Sequence, residues 1–216
     1  MTCHVFGLTG GLGAGKTTVA ARWRARKLPV FDADELSRSV MQPGHQGLAA
    51  VVEAFGTEIL HEDGTLDRAR LARLVFGDKG LRKRLEEITH PFVHSALDVE
   101  LRRLEFREEP LACYEAPLIV ETNRADLYRP LVVIAVPEND QVVRAMHRDG
   151  VEEQHVKARM ASQAPLSTKV RVADHVIDNS GELSETIEQA DQVLEAICRK
   201  FEIDPNRYPR PPQDAA

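Results

Sequence analysis

Aromatic residues make up only 5% of this 216-residue chain. Aliphatic side chains must therefore supply most of a core, and a hydrophobic fraction of 43% is enough to build one. Cysteine is also scarce. Cys3, Cys113 and Cys198 give an odd count with no C-x-x-C pair. That argues against a disulfide framework or a zinc ribbon and fits a reducing compartment. No apolar run approaches the ~20 residues of a membrane-spanning helix. The first residues carry no charged leader or apolar h-region. The expected location is the cytoplasm, with no membrane partner. Basic residues are outnumbered, 28 Lys and Arg against 34 Asp and Glu, for a net charge of −6. An acidic balance argues against bulk nucleic-acid binding, so no nucleic-acid partner is expected.

Some motifs are missing as well. G-x-G-x-x-G does not occur, which leaves no support for a dinucleotide fingerprint or a protein-kinase loop. No N-K-x-D is present to read guanine. A formal D-x-x-G, Asp178-Asn179-Ser180-Gly181, lies too late in the chain for a switch loop. What is present is Gly10-Gly11-Leu12-Gly13-Ala14-Gly15-Lys16-Thr17, which fits G-x-x-x-x-G-K-[ST]. A short apolar run, Val5-Phe6-Gly7-Leu8, precedes it and a helix-like run from Thr18 follows. That strand–loop–helix order is the context the motif requires. Its glycines let the backbone approach phosphate oxygens closely. Amides of Gly11, Leu12, Gly13, Ala14, Gly15 and Thr18, with the helix N-terminus, then face one concavity. Lys16 can meet the β- and γ-phosphates, and the Thr17 hydroxyl is suited to hold Mg²⁺.

Short β-rich runs recur at Val5–Thr9, Pro29–Phe31, Leu111–Tyr114, Leu131–Val136 and His175–Ile177. The run 131–136 has no polar face, as in a strand buried on both sides of a parallel sheet. Helical stretches separate the runs, so the fold class is α/β with crossover connections. The interval 35–109 does not alternate. Leu71, Leu74, Val75, Leu81, Leu85 and Ile88 recur at helical steps, and Pro91 is expected to break or kink that run. The interval reads as a helical subdomain inserted between core segments 1–34 and 110–204. The arginine-rich stretch 144–171, punctuated by Gly150 and Pro165, reads as a mobile flap or lid. A last amphipathic helix spans 182–199. Residues 205–216, with Pro205, Pro209, Pro211 and Pro212, read as a loosely ordered, flexible tail.

A P-loop on a small α/β chain with a helical insert and an arginine-rich flap points to a small-molecule kinase. Phosphoryl transfer needs positioning, charge neutralisation and exclusion of water. Asp32-Ala33-Asp34-Glu35 ends the second strand, where ligands sit in parallel sheets. A carboxylate there can accept the proton of an attacking hydroxyl. Asp32 with Glu35 also resembles a helix capping box, so cap and function both stand for Asp32. Asp34 is the better base candidate.

The chain resembles the dephospho-CoA kinase family over about residues 5–195. The likeness rests on Leu8–Ala20, on Asp32-Ala33-Asp34, and on Pro43-Gly44, Phe55-Gly56, Asp63–Arg68 and His90-Pro91. It continues through Pro117-Leu118-Ile119-Val120-Glu121, Arg144, Arg148, Gln163, Ala173-Asp174 and Ile177-Asp178-Asn179. The P-loop alone is generic; the later segments together are specific. Departures are small. The family often has glycine where Lys27 stands and Pro-Leu-Leu where this chain has Pro-Leu-Ile.

The resemblance implies a P-loop core with a five-stranded parallel sheet, a helical substrate-binding insert and a lid. It implies ATP with Mg²⁺, and transfer of the γ-phosphoryl group to the ribose 3′-hydroxyl of dephospho-CoA. On this likeness Asp34 is the base, Lys16 the phosphate clamp, and Arg144 and Arg148 the lid arginines, with Arg159 a weaker candidate. Thr9, Asp32, Asp34, His90, Pro117, Leu118 and Glu121 fall on the acceptor side. Asn179 faces the adenine or shapes a turn. Glu121 closes a salt bridge with a lid arginine or ends a strand. Glu115 is a second-shell Mg²⁺ candidate. His90 and His94 share a helix face without an evident third ligand. Another P-loop kinase, or a nucleotide switch without transfer chemistry, are the competing functions. A monomer or weak homo-oligomer is expected.

Overall fold

The computed structural model describes residues 2–75 and 77–211. Strands β1 (His4–Gly10), β2 (Val30–Asp32), β3 (Leu111–Glu115), β4 (Leu131–Ala135) and β5 (His175–Asp178) form one sheet in the order β2-β3-β1-β4-β5. Pairing is parallel, with Phe6 opposite Cys113, Leu8 opposite Val132 and Val133 opposite Val176. The expected α/β fold with a parallel five-stranded sheet is therefore present. The central strands are buried on both faces, which is why their sequence reads as unbroken apolar runs. Phe6, Leu8, Val132, Ile134 and Ile177 pack with Val19 and Trp23 of α1 (Lys16–Ala25) and with Leu194 and Ile197 of α9 (Leu183–Lys200). Trp23 is fully buried, and its indole N–H donates to the Ala190 carbonyl at 2.9 Å. All three cysteines are buried thiols. Among the described residues no helix is long and apolar enough to cross a membrane.

The chain divides into two compact units. One runs up to Phe31 and resumes at Glu108; the other is Asp32–Arg107. The second contains α2 (Ala33–Val40), α3 (Gln46–Phe55), α4 (Arg68–Val75) and α5 (Lys79–Phe106). Its core gathers Val40, Met41, Val51, Phe55, Ile59, Leu71 and Val93, with Leu81, Leu85 and Ile88 packed against them. Leu74, read from the periodicity as part of that face, is instead 43% exposed.

Pro91 does not break α5, which runs unbroken for 28 residues. Proline there removes one helix hydrogen bond at a cost of about 3 kcal/mol. The apolar face on both sides of it, Leu85 and Ile88 before and Phe92, Val93 and Ala96 after, is packed in the core. Val93 is buried and the other four are partly buried, so their combined burial, at about 25 cal/mol per Å² of apolar surface, offsets the loss.

Two further segments of the first unit adopt defined structure. The arginine-rich stretch is helical, as α6 (Glu138–Asp149), α7 (Glu153–Met160) and α8 (Leu166–Arg171). It has a small core of its own, in which Val142, Ala145 and Val156 enclose Leu12. The segment after Asp204 is anchored over 205–211. Pro205–Arg207 form a 3-10 turn and Tyr208 is buried. Arg26 Nε and Nη2 donate to the Tyr208 carbonyl at 2.9 and 2.7 Å, and the Tyr208 hydroxyl bonds to Glu109. The proline count signalled disorder, but one aromatic and a buried arginine hold this stretch in place. Pro212 lies outside the described residues.

Lys27 explains its own oddity. Its φ is 68°, the left-handed region. Its N–H donates to Arg24 O at 2.9 Å, and Leu28 N–H donates to Trp23 O at 3.0 Å. That pair closes α1 as a Schellman motif, where glycine is the usual residue. A side chain there costs roughly 1–2 kcal/mol, partly cancelled by glycine's larger unfolded-state entropy. Lys27→Gly is therefore expected to raise stability by up to about 1 kcal/mol, read as a higher midpoint in urea at unchanged slope. A lower midpoint would contradict this assignment.

Candidate active site

The loop between β1 and α1 follows the end of a buried strand and leads directly into a helix. Gly13 and Gly15 have φ of 74° and 92°, conformations that a side chain would strain. A Cβ on Gly13 would also strike the Gln141 carbonyl, and one on Gly15 the Asn179 amide. The loop is thus shaped from outside. Asn179 Nδ2 donates to Ala14 O at 2.8 Å. The buried Thr186 hydroxyl donates to Asn179 Oδ1, also at 2.8 Å. Gln141, buried, donates from Nε2 to Val136 O at 2.7 Å, with its Oε1 against Gly11. Lys16 Nζ donates to the carbonyls of Gly10 and Gly11, both at 3.1 Å.

A cavity of about 390 Å³ opens beside this loop. Gly13, Gly15, Lys16, Thr17, Thr18, Arg144, Arg148 and Asn179 line it. All eight carry roles in the sequence reading, and the fold brings them to one place. Arg148 and Arg144 differ electrostatically. Arg148 grips Asp149 with Nε–Oδ1 at 2.7 Å and Nη2–Oδ2 at 3.0 Å, and Arg159 reaches the same carboxylate at 2.6 Å. Arg148 foremost, with Arg159, holds the Asp149 carboxyl down to about 2. Arg144 has no ion pair among the described residues.

The remaining candidates fall in two groups. Thr9 donates from Oγ1 to Pro117 O at 3.2 Å. Lys169, only 1% exposed, donates to that same carbonyl at 3.0 Å and to Glu121 Oε1 at 2.6 Å. Glu121 therefore pairs with a lysine of α8, not with a lid arginine, and it lies beyond the end of β3 rather than closing a strand. Leu118 is exposed beside them. Buried Glu115 ends β3, with Arg24 Nη2 at 3.9 Å.

Asp32, Asp34 and His90 belong to the second unit. Asp32 caps α2, accepting from the N–H groups of Asp34 at 2.7 Å and Glu35 at 3.3 Å. Asp34, in the first turn, is exposed and keeps its carboxylate out of that cap. His90 and His94 sit one turn apart on α5, with ring centroids at 6.4 Å. Gln141, Thr186 and Lys169 were not singled out in the sequence. Each is a buried polar side chain, and burial leaves no mark in spacing.

The sequence model of dephospho-CoA kinase matches residues 4–185. The chain belongs to the dephospho-CoA kinase family. A dephospho-CoA kinase of Anaeromyxobacter dehalogenans is 44% identical over 191 residues, covering 88% of this chain and 90% of its own. One from Methylococcus capsulatus is 42% identical over 200 residues, 92% of this chain and 97% of its own. The crystal structure of TT1252 from Thermus thermophilus superposes with a TM-score of 0.80 at 34% identity, covering 91% of this chain and 98% of that one. The dephospho-CoA kinase from Campylobacter jejuni, at 24% identity and a TM-score of 0.59, shares the fold over 89% of this chain and 96% of its own.

Proposed function

We propose that this chain transfers the γ-phosphoryl group of ATP to the ribose 3′-hydroxyl of dephospho-CoA, giving coenzyme A and ADP. Membership of the family along nearly the whole folded chain carries the reading. The phosphate loop supplies the donor half of the chemistry. Its amides and the positive end of α1 suit a polyphosphate. Lys16, held by two loop carbonyls in this structure, exchanges them for phosphate oxygens. Thr17 lines the cavity and is one hard oxygen donor, which fits an ion that keeps most of its shell as water and phosphate oxygens. Mg²⁺ bound there would neutralise charge on the β- and γ-phosphates.

Asp34 is the general base for the acceptor hydroxyl, because the neighbouring carboxylate of Asp32 is committed to the helix cap. Of the lid arginines, Arg144 has no ion pair among the described residues, whereas Arg148 shares Asp149 with Arg159. Asn179 braces the loop and, from the same cavity, borders the nucleoside end of ATP. Thr9 and Glu121 shape the acceptor side through Pro117 and Lys169. Pro117, Leu118 and His90 remain acceptor-side candidates, and the unit Asp32–Arg107 is where the rest of dephospho-CoA binds. The chain works in the cytoplasm as a monomer or weak homo-oligomer.

A substrate panel tests the reading. Mg·ATP consumption should be fastest with dephospho-CoA. Faster consumption with nucleoside monophosphates overturns it. Lys16→Met is expected to weaken ATP binding and to abolish transfer within detection, because the γ-phosphate loses its only loop cation. Full activity in that variant would be incompatible with the role given to Lys16.

A further inference from the structure

The loop contains one residue with a side chain large enough to be held from outside, Leu12, between Gly11 and Gly13. Glycines on both sides give the backbone little steric preference, so contacts at Leu12 add to those of Gln141 and Asn179 in setting its conformation. Two such contacts exist, and both come from the helical segment that carries the arginines. The Leu12 side chain is buried against Val142, Ala145 and Val156. Its N–H donates to Gln163 Oε1 at 3.0 Å.

Gln163 is itself held in position. It stands in the turn between α7 and α8, with its own N–H on Met160 O at 2.9 Å. The next residue, Ala164, donates its N–H to Glu121 Oε1 at 2.8 Å. That oxygen also receives the buried Lys169 ammonium, which in turn binds Pro117 O. Thr9, at the mouth of the loop, reaches the same Pro117 carbonyl. A chain of hydrogen bonds thus runs from the residues after β3, through the turn, onto the middle of the phosphate loop.

We propose that Gln163 is a positioning residue for phosphoryl transfer. Its carboxamide fixes the Gly11–Leu12 peptide, and through it keeps the phosphate loop in register with the arginine-bearing helices. The proposal rests on the kinase reading above, because its consequence is a rate. The loop that grips the triphosphate must hold its amides still in the transition state, and a peptide freed at Leu12 loses that definition.

The test compares Gln163→Ala with Gln163→Glu, which keeps an acceptor at the same reach. Amide hydrogen exchange of the peptide containing Leu12 is measured on the intact chain without ligand, alongside kcat and KM for ATP and the thermal midpoint. Gln163→Ala should speed exchange at Leu12 by about tenfold, the scale of one net hydrogen bond. It should lower kcat by about tenfold, with KM for ATP changed less than threefold and the midpoint nearly unmoved. Gln163→Glu should restore the slow exchange. Unchanged exchange and unchanged kcat in Gln163→Ala overturn the proposal. So does a lower kcat accompanied by a large drop in thermal midpoint that Gln163→Glu fails to reverse, since that is a folding role. The exchange measurement needs no turnover, so a failed substrate assignment and a failed role for Gln163 give different results.

Discussion

Asp34→Asn is expected to cut turnover of ATP with dephospho-CoA by about 10²-fold or more, with ADP affinity nearly unchanged. A positioned base contributes about 10²–10⁴ to a proton transfer. Asparagine keeps the size and the hydrogen-bonding oxygen of the carboxylate but cannot take the proton. The isosteric change leaves the cap on α2 alone, because that cap is made by the Asp32 carboxylate with the backbone N–H groups of Asp34 and Glu35. A fold defect is therefore not expected. Single-turnover rates measured beside ADP calorimetry separate the two effects. Unchanged turnover would remove Asp34 from the chemistry. Lost ADP affinity would move it to the nucleotide side.

The second large effect is on stability. Asp191 is 1% exposed and serves two buried arginines. Arg22 Nε and Nη2 donate to it at 3.0 and 2.7 Å, and Arg26 Nη1 donates at 3.0 Å. Burial pushes this carboxyl up, but the hydrogen bonds from Arg22 and Arg26 outweigh it, and the group lies below the ordinary carboxylate range. Removing one partner of a buried pair costs about 3–5 kcal/mol, because the remaining charge stays buried. Here Arg22 would lose both of its acceptors in this cluster. Asp191→Ala should therefore lower the thermal midpoint by roughly 10 °C, at ~2–4 °C per kcal/mol for a chain of this size.

The pH dependence has a definite sign. A depressed carboxyl stabilises the fold above its unfolded pKa and loses that contribution as pH falls through the folded value. The gap between wild type and Asp191→Ala should narrow on acidification below the usual carboxylate range. A midpoint within 3 °C of wild type at neutral pH would contradict the weight given to this cluster.

The phosphate loop was legible because its residues are contiguous and their spacing is set by the ligand, not by the rest of the fold. The sheet was legible for a related reason. Strands such as Leu131–Ala135, buried on both faces, have no polar positions. Other features depend on partners distant in sequence. Asp191 looks like one more acidic residue on an amphipathic helix, yet it faces arginines 165 and 169 positions away. Lys169 reads as a surface lysine of an arginine-rich flap, and it is the buried partner of Glu121. Pro91 predicts a break or kink by its local rule, and the helix does not break there because α5 packs in the core on both sides of it. The prolines after Asp204 suggested disorder, but Tyr208 decides the matter for residues 205–211.

Incubation of the intact chain with ATP, Mg²⁺ and dephospho-CoA, followed by mass and ³¹P analysis of the products, tests the central claim most directly. The expected products are ADP and a species one phosphoryl group heavier than dephospho-CoA, identical to coenzyme A and bearing a 3′-phosphomonoester. Recovery of dephospho-CoA unchanged, while ATP is hydrolysed or passed to another acceptor, would contradict the account.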